Sequence, residues 1–213
     1  MKLYEESYKQ LKSSGIILNE EEFAEILLVL NGFDKFIIGD FLSKEKFPNI
    51  NCKILKFFLD KIEMRNVEIL NSLRFLLSRL NLPKDSTLIM IILDKFTVTY
   101  YESNLHREIY PNSNSLFLLC NSILAINTIL HRGDLALANL PNINKESFIK
   151  MNSDIDPKIV GDIYDEIKSN KLDFTYECNK INIINIFNLS IKIAINFTEE
   201  YQMSKIILIS QIP

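Results

Sequence analysis

Apolar residues recur at helical spacing through most of the chain. Phe23, Ile26, Leu27 and Leu30 follow an i, i+3, i+4, i+7 pattern behind an acidic turn, Glu20 to Glu22, which suits a helix N-terminus. Two more apolar stripes precede Pro83. One consists of Ile54, Leu55, Phe58 and Ile62, and the other of Val67, Leu70, Leu73, Leu77 and Leu80. The pattern predicts a stack of helices with short connections.

The second half of the chain continues this pattern. A nearly continuous apolar run from Leu88 passes through Phe96 and Tyr100, and it predicts a helix in the centre of the stack. Another helix is expected to begin near Asn114, and a last one where Asp156 precedes Pro157. Residues 132–145 form the longest irregular segment. An all-α body is therefore predicted over residues 4–178.

Residues 179–213 have a different pattern. Apolar residues from Phe187 to Phe197 alternate strictly with Asn, Ser, Lys and Ala, a period of two that is typical of a β-strand. A second apolar run covers residues 206–209. We interpret this C-terminal extension as a β-hairpin, with a frayed helix as the alternative.

Charge and composition narrow the class of function. The 213 residues include 24 Lys and Arg against 27 Asp and Glu, interspersed, for a net charge of -3. This balance argues against a nucleic-acid partner and against bulk electrostatic attraction to membranes. The acidic N-terminus is no signal peptide, and no uninterrupted apolar run reaches the ~18 residues needed to span a bilayer. A cytoplasmic location is the prediction.

Cysteine and histidine spacing gives no sign of a metal site. Cys52, Cys120 and Cys178 lack paired spacing, which indicates free thiols in a reducing compartment. His106 and His131 are the two histidines, and neither has ligand spacing. No metal or other cofactor is expected.

Five short segments follow one another in a fixed order along the predicted helical body. They are Ile38-Gly39-Asp40-Phe41-Leu42, Leu82-Pro83-Lys84-Asp85, Phe96 with Tyr100, Ile126-Asn127-Thr128-Ile129-Leu130-His131, and Phe148-Ile149-Lys150-Met151-Asn152. In this order they resemble the signature of the Sec-seven domain, the catalytic module of guanine-nucleotide exchange factors for Arf-type small GTPases. The resemblance implies an all-α, right-handed helical superhelix whose hydrophobic groove binds an Arf-type GTPase.

The resemblance also implies a catalytic glutamate in the loop after the first motif, whose charge competes with the β-phosphate of the nucleotide and displaces magnesium. A carboxylate 4 Å from a phosphate costs ~4 kcal/mol at an effective dielectric near 20, comparable to about three orders of magnitude in nucleotide affinity. Here Lys44 occupies the family position and Glu45 follows it. Glu45 is our catalytic candidate. The alternatives are a lost glutamate, with Lys44 holding the phosphate, and an ordinary solvated charge cluster.

Partner-binding residues are implied where this chain matches or replaces the family motifs. They are Gly39, Asp40, Lys44, Asp85, Phe96, Tyr100, Asn127 and His131. Core packing is the alternative for Phe96 and Tyr100, and His131 is expected to bond carbonyl groups at a helix end. The family's charged Lys-Ile-Asp-Arg stretch is replaced by Leu-Ile-Met-Ile at residues 88–91, and its final Asn-Pro by Arg132-Gly133.

The leading functional prediction is an exchange factor that promotes GDP release from an Arf-type GTPase in membrane trafficking. It would act as a monomer, recruited to Golgi or endosomal membranes through a partner. The second is a catalytically degenerate domain that binds a GTPase or another protein without exchange activity, and the third is a helical scaffold unrelated to GTPases. Glu45 and Asn127 favour the first, whereas Lys44 and the apolar residues 88–91 favour the second.

Overall fold

The computed structural model describes residues 2–29, 35–43, 48–103, 108–131 and 143–173. Within these residues the chain forms nine α-helices and no strand. The helices are α1 (Lys2–Ser13), α2 (Glu20–Val29), α3 (Lys35–Ser43), α4 (Pro48–Asp60), α5 (Ile69–Arg79), α6 (Ser86–Ser103), α7 (Ser113–His131), α8 (Lys145–Met151) and α9 (Pro157–Ser169). The all-α prediction is confirmed. The hairpin expected in residues 179–213 lies outside the described residues.

Local capping explains why two of the predicted helix starts are confirmed. At α2, the Asn19 Oδ1 atom accepts a hydrogen bond from the Glu22 N–H at 3.0 Å, and the Glu22 carboxylate accepts one from the Leu18 N–H at 2.8 Å. This exchange resembles a capping box. At α9, the Asp156 side chain accepts from the Lys158 N–H at 2.7 Å, with Pro157 in the first turn.

Other boundaries differ from the sequence pattern by a few residues. Helix α7 begins one residue earlier than expected because Asn112 caps it, its Oδ1 atom accepting from the Ser115 N–H at 2.9 Å. Helix α5 ends at Arg79, before Pro83, since Leu80 is already extended (φ -138°, ψ 150°). Helix α8 follows the irregular segment and is capped by Asn144.

Helix α6 occupies the centre of the stack, as its apolar sequence predicts. It packs against α3, α4 and α7, while α2 lies on α4 and α9 lies on both α7 and α8. Leu93 and Phe96 of α6, Phe58 of α4 and Ile123 of α7 are completely buried. Each such side chain contributes ~1.5–3 kcal/mol through its removal from water, so these contacts hold the helices around α6.

Helix α7 is long and apolar enough to cross a membrane by length and composition, with a mean hydropathy of 1.4. Half of it is buried inside the fold, where Leu116, Leu119 and Ile126 are fully enclosed. A core helix of a globular domain has this same composition. Its apolar character is therefore accounted for by packing.

Two backbone segments approach each other closely at Gly39, in the middle of α3. A Cβ atom at this position would lie 2.0 Å from the Asn81 carbonyl oxygen and 3.2 Å from its carbonyl carbon. The Asn81 N–H also donates to the Lys35 carbonyl oxygen at 2.9 Å. Helix α3 thus lies directly on the backbone of the α5–α6 connection, and only glycine permits that distance.

Replacement of Gly39 by alanine is expected to lower the free energy of unfolding by about 1–3 kcal/mol, because the new methyl group must displace backbone atoms. For a chain of this size each kcal/mol lowers the melting temperature by roughly 2–4 °C, measurable by circular dichroism.

Gly161→Ala is the matched control, since Gly161 is also a buried helical glycine. Its added Cβ would meet mainly the flexible end of Lys145, at 2.9 Å. That side chain can move, and alanine favours helix, so Gly161→Ala is expected to change stability by less than about 1 kcal/mol. Equal melting temperatures for the two variants would contradict the proposed close packing.

Candidate functional site

The first two motif segments meet beside α6. Gly39 of the first motif lies against Asn81, and Leu82 and Pro83 of the second follow directly and are buried. Since α6 carries Phe96 and Tyr100 and contacts both α3 and α7, the structure gathers the elements that carry the first four segments around one central helix. Segments that are far apart in the sequence are therefore neighbours in the fold.

Two side chains fix the end of α3, where the catalytic candidate's loop begins. The last carbonyl groups of a helix lack partners within it. Here the buried Asn51 amide of α4 donates to the Phe41 carbonyl oxygen at 2.9 Å, and Ser43 Oγ donates to the Gly39 carbonyl oxygen at 2.8 Å. Lys44 and Glu45 lie outside the described residues. The helices on either side of them are held together.

The N-terminal half of α6 presents apolar side chains to the surface. Met90 is 49% exposed, and Leu88, Ile89 and Ile91 are half-buried. We call these four residues the α6 patch. Asp85 lies at its start, exposed, with its Oδ1 atom accepting from the Thr87 N–H at 2.8 Å. An apolar patch with a polar rim suits contact with a protein partner.

Phe96 and Tyr100 belong to the core, the alternative that the sequence left open for both. Phe96 is 0% exposed and Tyr100 is 3% exposed. The Tyr100 hydroxyl donates to the Val67 carbonyl oxygen at 2.8 Å, and burial raises the pKa of this phenol, so it remains a donor. Direct contact of these two side chains with a partner does not fit this structure.

Asn127 is also buried, with 3% exposure, which corrects the expectation that it lies on a partner-facing surface. Its side-chain amide makes two bonds to the backbone of Leu172. The Nδ2 group donates to the Leu172 carbonyl oxygen at 3.2 Å, and the Oδ1 atom accepts from the Leu172 N–H at 2.8 Å. A buried amide satisfied in this way fixes the chain after α9 against α7.

Two further side chains hold the same stretch of backbone. The His131 Nε2 atom lies 2.7 Å from the Ile167 carbonyl oxygen, which confirms the expected bond between this imidazole and a carbonyl group. Arg74 of α5 donates to the carbonyl oxygens of Asn170, at 2.5 Å, and Lys171, at 2.7 Å. We call Asn127, His131 and Arg74 the C-terminal clasp. Two of its three members, Asn127 and His131, come from the fourth segment, Ile126 to His131.

The remaining candidates occupy less decisive positions. Asp40 is half-buried on α3, next to Gly39. Two of the cavities, of about 560 and 550 Å³, are lined by none of the predicted site residues that the structure describes. Among the described residues, no group of three or more His, Cys, Asp or Glu side chains could hold a metal ion. The Cys120 thiol is completely buried, and burial raises its pKa.

Sequence reasoning missed Asn51 and Arg74, which shape the site from outside the motifs. Both bond to backbone carbonyl groups, and such partners leave no complementary residue in the sequence. The sequence signal for Asn51 was a polar residue next to the apolar stripe of α4, and the structure shows that this residue is buried.

Known proteins resemble this chain in both sequence and fold. It is 27% identical over 175 residues to the ADP-ribosylation factor guanine nucleotide-exchange factor sec71 of Schizosaccharomyces pombe, covering 78% of this chain and 9% of that protein. It is 28% identical over 159 residues to cytohesin-4 of Mus musculus, covering 70% of this chain and 37% of that protein. The chain therefore spans well under half the length of these relatives.

Solved structures match at the level of fold. The Sec7p catalytic domain superposes with a TM-score of 0.66 at 20% identity, covering 76% of this chain and 86% of that one. A Sec7 domain solved with ARF1-GDP and brefeldin A gives a TM-score of 0.61 at 23% identity, covering 78% of this chain and 85% of that one. Residues 2–172 match the Sec7 domain family, and the chain belongs to that family.

Proposed function

We propose that this chain binds an ADP-ribosylation factor GTPase and promotes the release of its GDP. The observation that carries the proposal is the convergence of the motif segments on α6, beside the exposed α6 patch. Relatives that match most of this chain are named as exchange factors for this class of GTPase. The α6 patch would receive apolar side chains of the GTPase, with Asp40 and Asp85 as polar contacts nearby.

Glu45 is the proposed catalytic residue, in the loop between α3 and α4. The bonds from Asn51 and Ser43 hold the end of α3, so the loop starts from a fixed point. A carboxylate delivered from that point to a bound nucleotide would repel the phosphate by ~4 kcal/mol at 4 Å. Lys44 beside it would oppose this effect.

Phe96, Tyr100, Asn127 and His131 act in this proposal as positioning residues. They are bound within the fold, and through it they hold α6 and α7 in place. The chain would work as a monomer in the cytoplasm, brought to Golgi or endosomal membranes by a partner.

Binding without exchange is the second candidate function. Lys44 occupies the position at which the family carries its glutamate, and the α6 patch is apolar where the family is charged. Release of fluorescent GDP from an ADP-ribosylation factor, with and without this chain, distinguishes the two. Acceleration supports exchange activity, whereas binding with an unchanged release rate supports the second function.

The Glu45→Lys variant is expected to lose any acceleration of GDP release, because the charge that repels the phosphate is reversed. Its melting temperature should stay close to that of the wild type, since surface charge changes usually alter stability by under ~0.5 kcal/mol. Glu6→Lys, an exposed acid on α1, is the control and should exchange normally. Equal rates for Glu45→Lys and wild type would reject Glu45.

Lys44→Glu tests the same loop in the opposite direction. If the wild type binds without accelerating GDP release, this variant should gain exchange activity, because a carboxylate then stands at the family position. No gain, despite retained binding, would show that the loop cannot deliver a charge to the nucleotide.

The Asn127→Ala variant is expected to be less stable by about 1–3 kcal/mol, because it removes both bonds to Leu172 and leaves two buried backbone groups unpaired. Below its melting temperature, its affinity for a nucleotide-free ADP-ribosylation factor, measured by calorimetry, should match that of the wild type.

Asn121→Ala on the same helix is the matched control. Among the described residues, the Asn121 amide bonds to the Phe117 carbonyl oxygen one turn away, at 2.8 Å, and to no other group, so its loss should be nearly neutral. A tenfold or greater loss of affinity for Asn127→Ala with an unchanged melting temperature would restore Asn127 as a direct partner contact.

A further inference from the structure

A cavity of about 550 Å³ lies between the start of α5, the residues before α7 and the outer face of α9. Its apolar lining includes Ile109, Ile159 and Ile163, and its acidic lining consists of Glu68, Asp162 and Glu166. None of the described residues that line it is Lys or Arg. The cavity is separate from the α6 patch, and the proposed exchange function does not use it.

The three carboxylates differ in how far they are neutralised. Glu166 lies 3.5 Å from the Arg74 guanidinium and accepts from the Asn170 side chain at 2.9 Å. Among the described residues, Glu68 accepts a single long bond, from Asn71 at 3.5 Å. Asp162 is exposed and forms no hydrogen bond or ion pair with a described residue. Among the described residues, the cavity therefore combines an apolar wall with one carboxylate, Asp162, that has no cationic partner.

This combination selects a ligand that is both aliphatic and cationic. A lysine packs its methylene chain along apolar surface while its ammonium group reaches a carboxylate. Neighbouring isoleucine or leucine side chains would fill the rest of a volume that lies within the range of ligand-binding cavities. A short lysine-containing aliphatic segment of polypeptide has this chemistry.

The chain itself supplies such a segment close by. Arg74 bonds to the carbonyl groups of Asn170 and Lys171 and also contacts Glu166 of this cavity, while the last described residues, Lys171 to Asp173, line the other cavity. Lys180 is the first cation after Asp173, and Ile181, Ile183 and Ile184 follow it. Seven residues of extended chain reach up to ~25 Å, which is ample for the return to α9.

We propose that residues 180–184 dock in this cavity, with the Lys180 ammonium group on Asp162 and the isoleucines on the apolar wall. Attachment through the C-terminal clasp raises the effective concentration of the segment and makes the contact intramolecular. The occupied cavity would shield Ile109 and Ile159 from water.

Carbodiimide cross-linking of the full chain tests the contact directly, since it joins a lysine amine to a carboxylate that it touches. Mass spectrometry of the monomer is expected to identify Lys180 joined to Asp162 or Glu68. Lys192 and Lys205, which the proposal does not place in the cavity, are internal comparisons and should not form these links. Cross-links from Lys180 only to carboxylates elsewhere, or only between two chains, would overturn the proposal. So would the absence of any link from Lys180.

Reversal of the charge at Lys180 provides a second test, with hydrogen exchange of the folded protein as the readout. Lys180→Glu is expected to speed hydrogen exchange of the backbone amides of residues 159–166 by about two- to fivefold, the effect of a partly exposed ion pair. Lys192→Glu, the matched control in the same extension, should leave these rates unchanged.

Combining Asp162→Lys with Lys180→Glu should restore the protection, because the pair is then reversed rather than broken. Equal exchange rates in wild type and Lys180→Glu would reject the docking of this segment. Loss of protection that the reversed pair does not recover would reject Asp162 as its partner. Neither result depends on the release of GDP from a GTPase, so both are independent of the proposed function.

Discussion

The rest of the structure depends on the contact between α3 and the backbone of the α5–α6 connection. Because Gly39 has no side chain, the Asn81 carbonyl oxygen can occupy the space where a Cβ atom would be. This contact fixes the position of α3 relative to the start of α6. The end of α3 and the α6 patch are positioned from it.

The residues that match the family motifs have different structural roles in this chain. The first two segments meet beside α6, where Ile38, Phe41, Leu42 and Leu82 are buried and Asp85 is exposed, whereas the fourth has Asn127 and His131 bonded to the backbone after α9. Most of these matched residues therefore maintain the scaffold, whereas Asp85 contributes to a surface. Matching a family motif does not show which of these duties a residue has.

The fold could be predicted from the sequence because apolar spacing reports burial directly. The stripes of α2, α4 and α5 and the cap at Asp156 carried enough information for an all-α body. The burial of Asn127 could not be predicted, since an asparagine in an apolar helix reads equally well as a surface contact or a core amide. Its partner is a backbone group of Leu172, 45 residues away, and backbone groups are the same at every position.

The C-terminal clasp has an evolutionary consequence that follows from this choice of partners. Arg74, Asn127 and His131 hold peptide groups of residues 167 and 170–172, so the bonds themselves do not depend on the side chains at those positions. Substitutions there can accumulate without loss of these bonds, although proline at 172 would remove the N–H that Asn127 requires. Selection through the clasp acts on Arg74, Asn127 and His131, and it leaves the exposed Asn170 and Lys171 freer to diverge than Ile167 and Leu172, which are buried in the core.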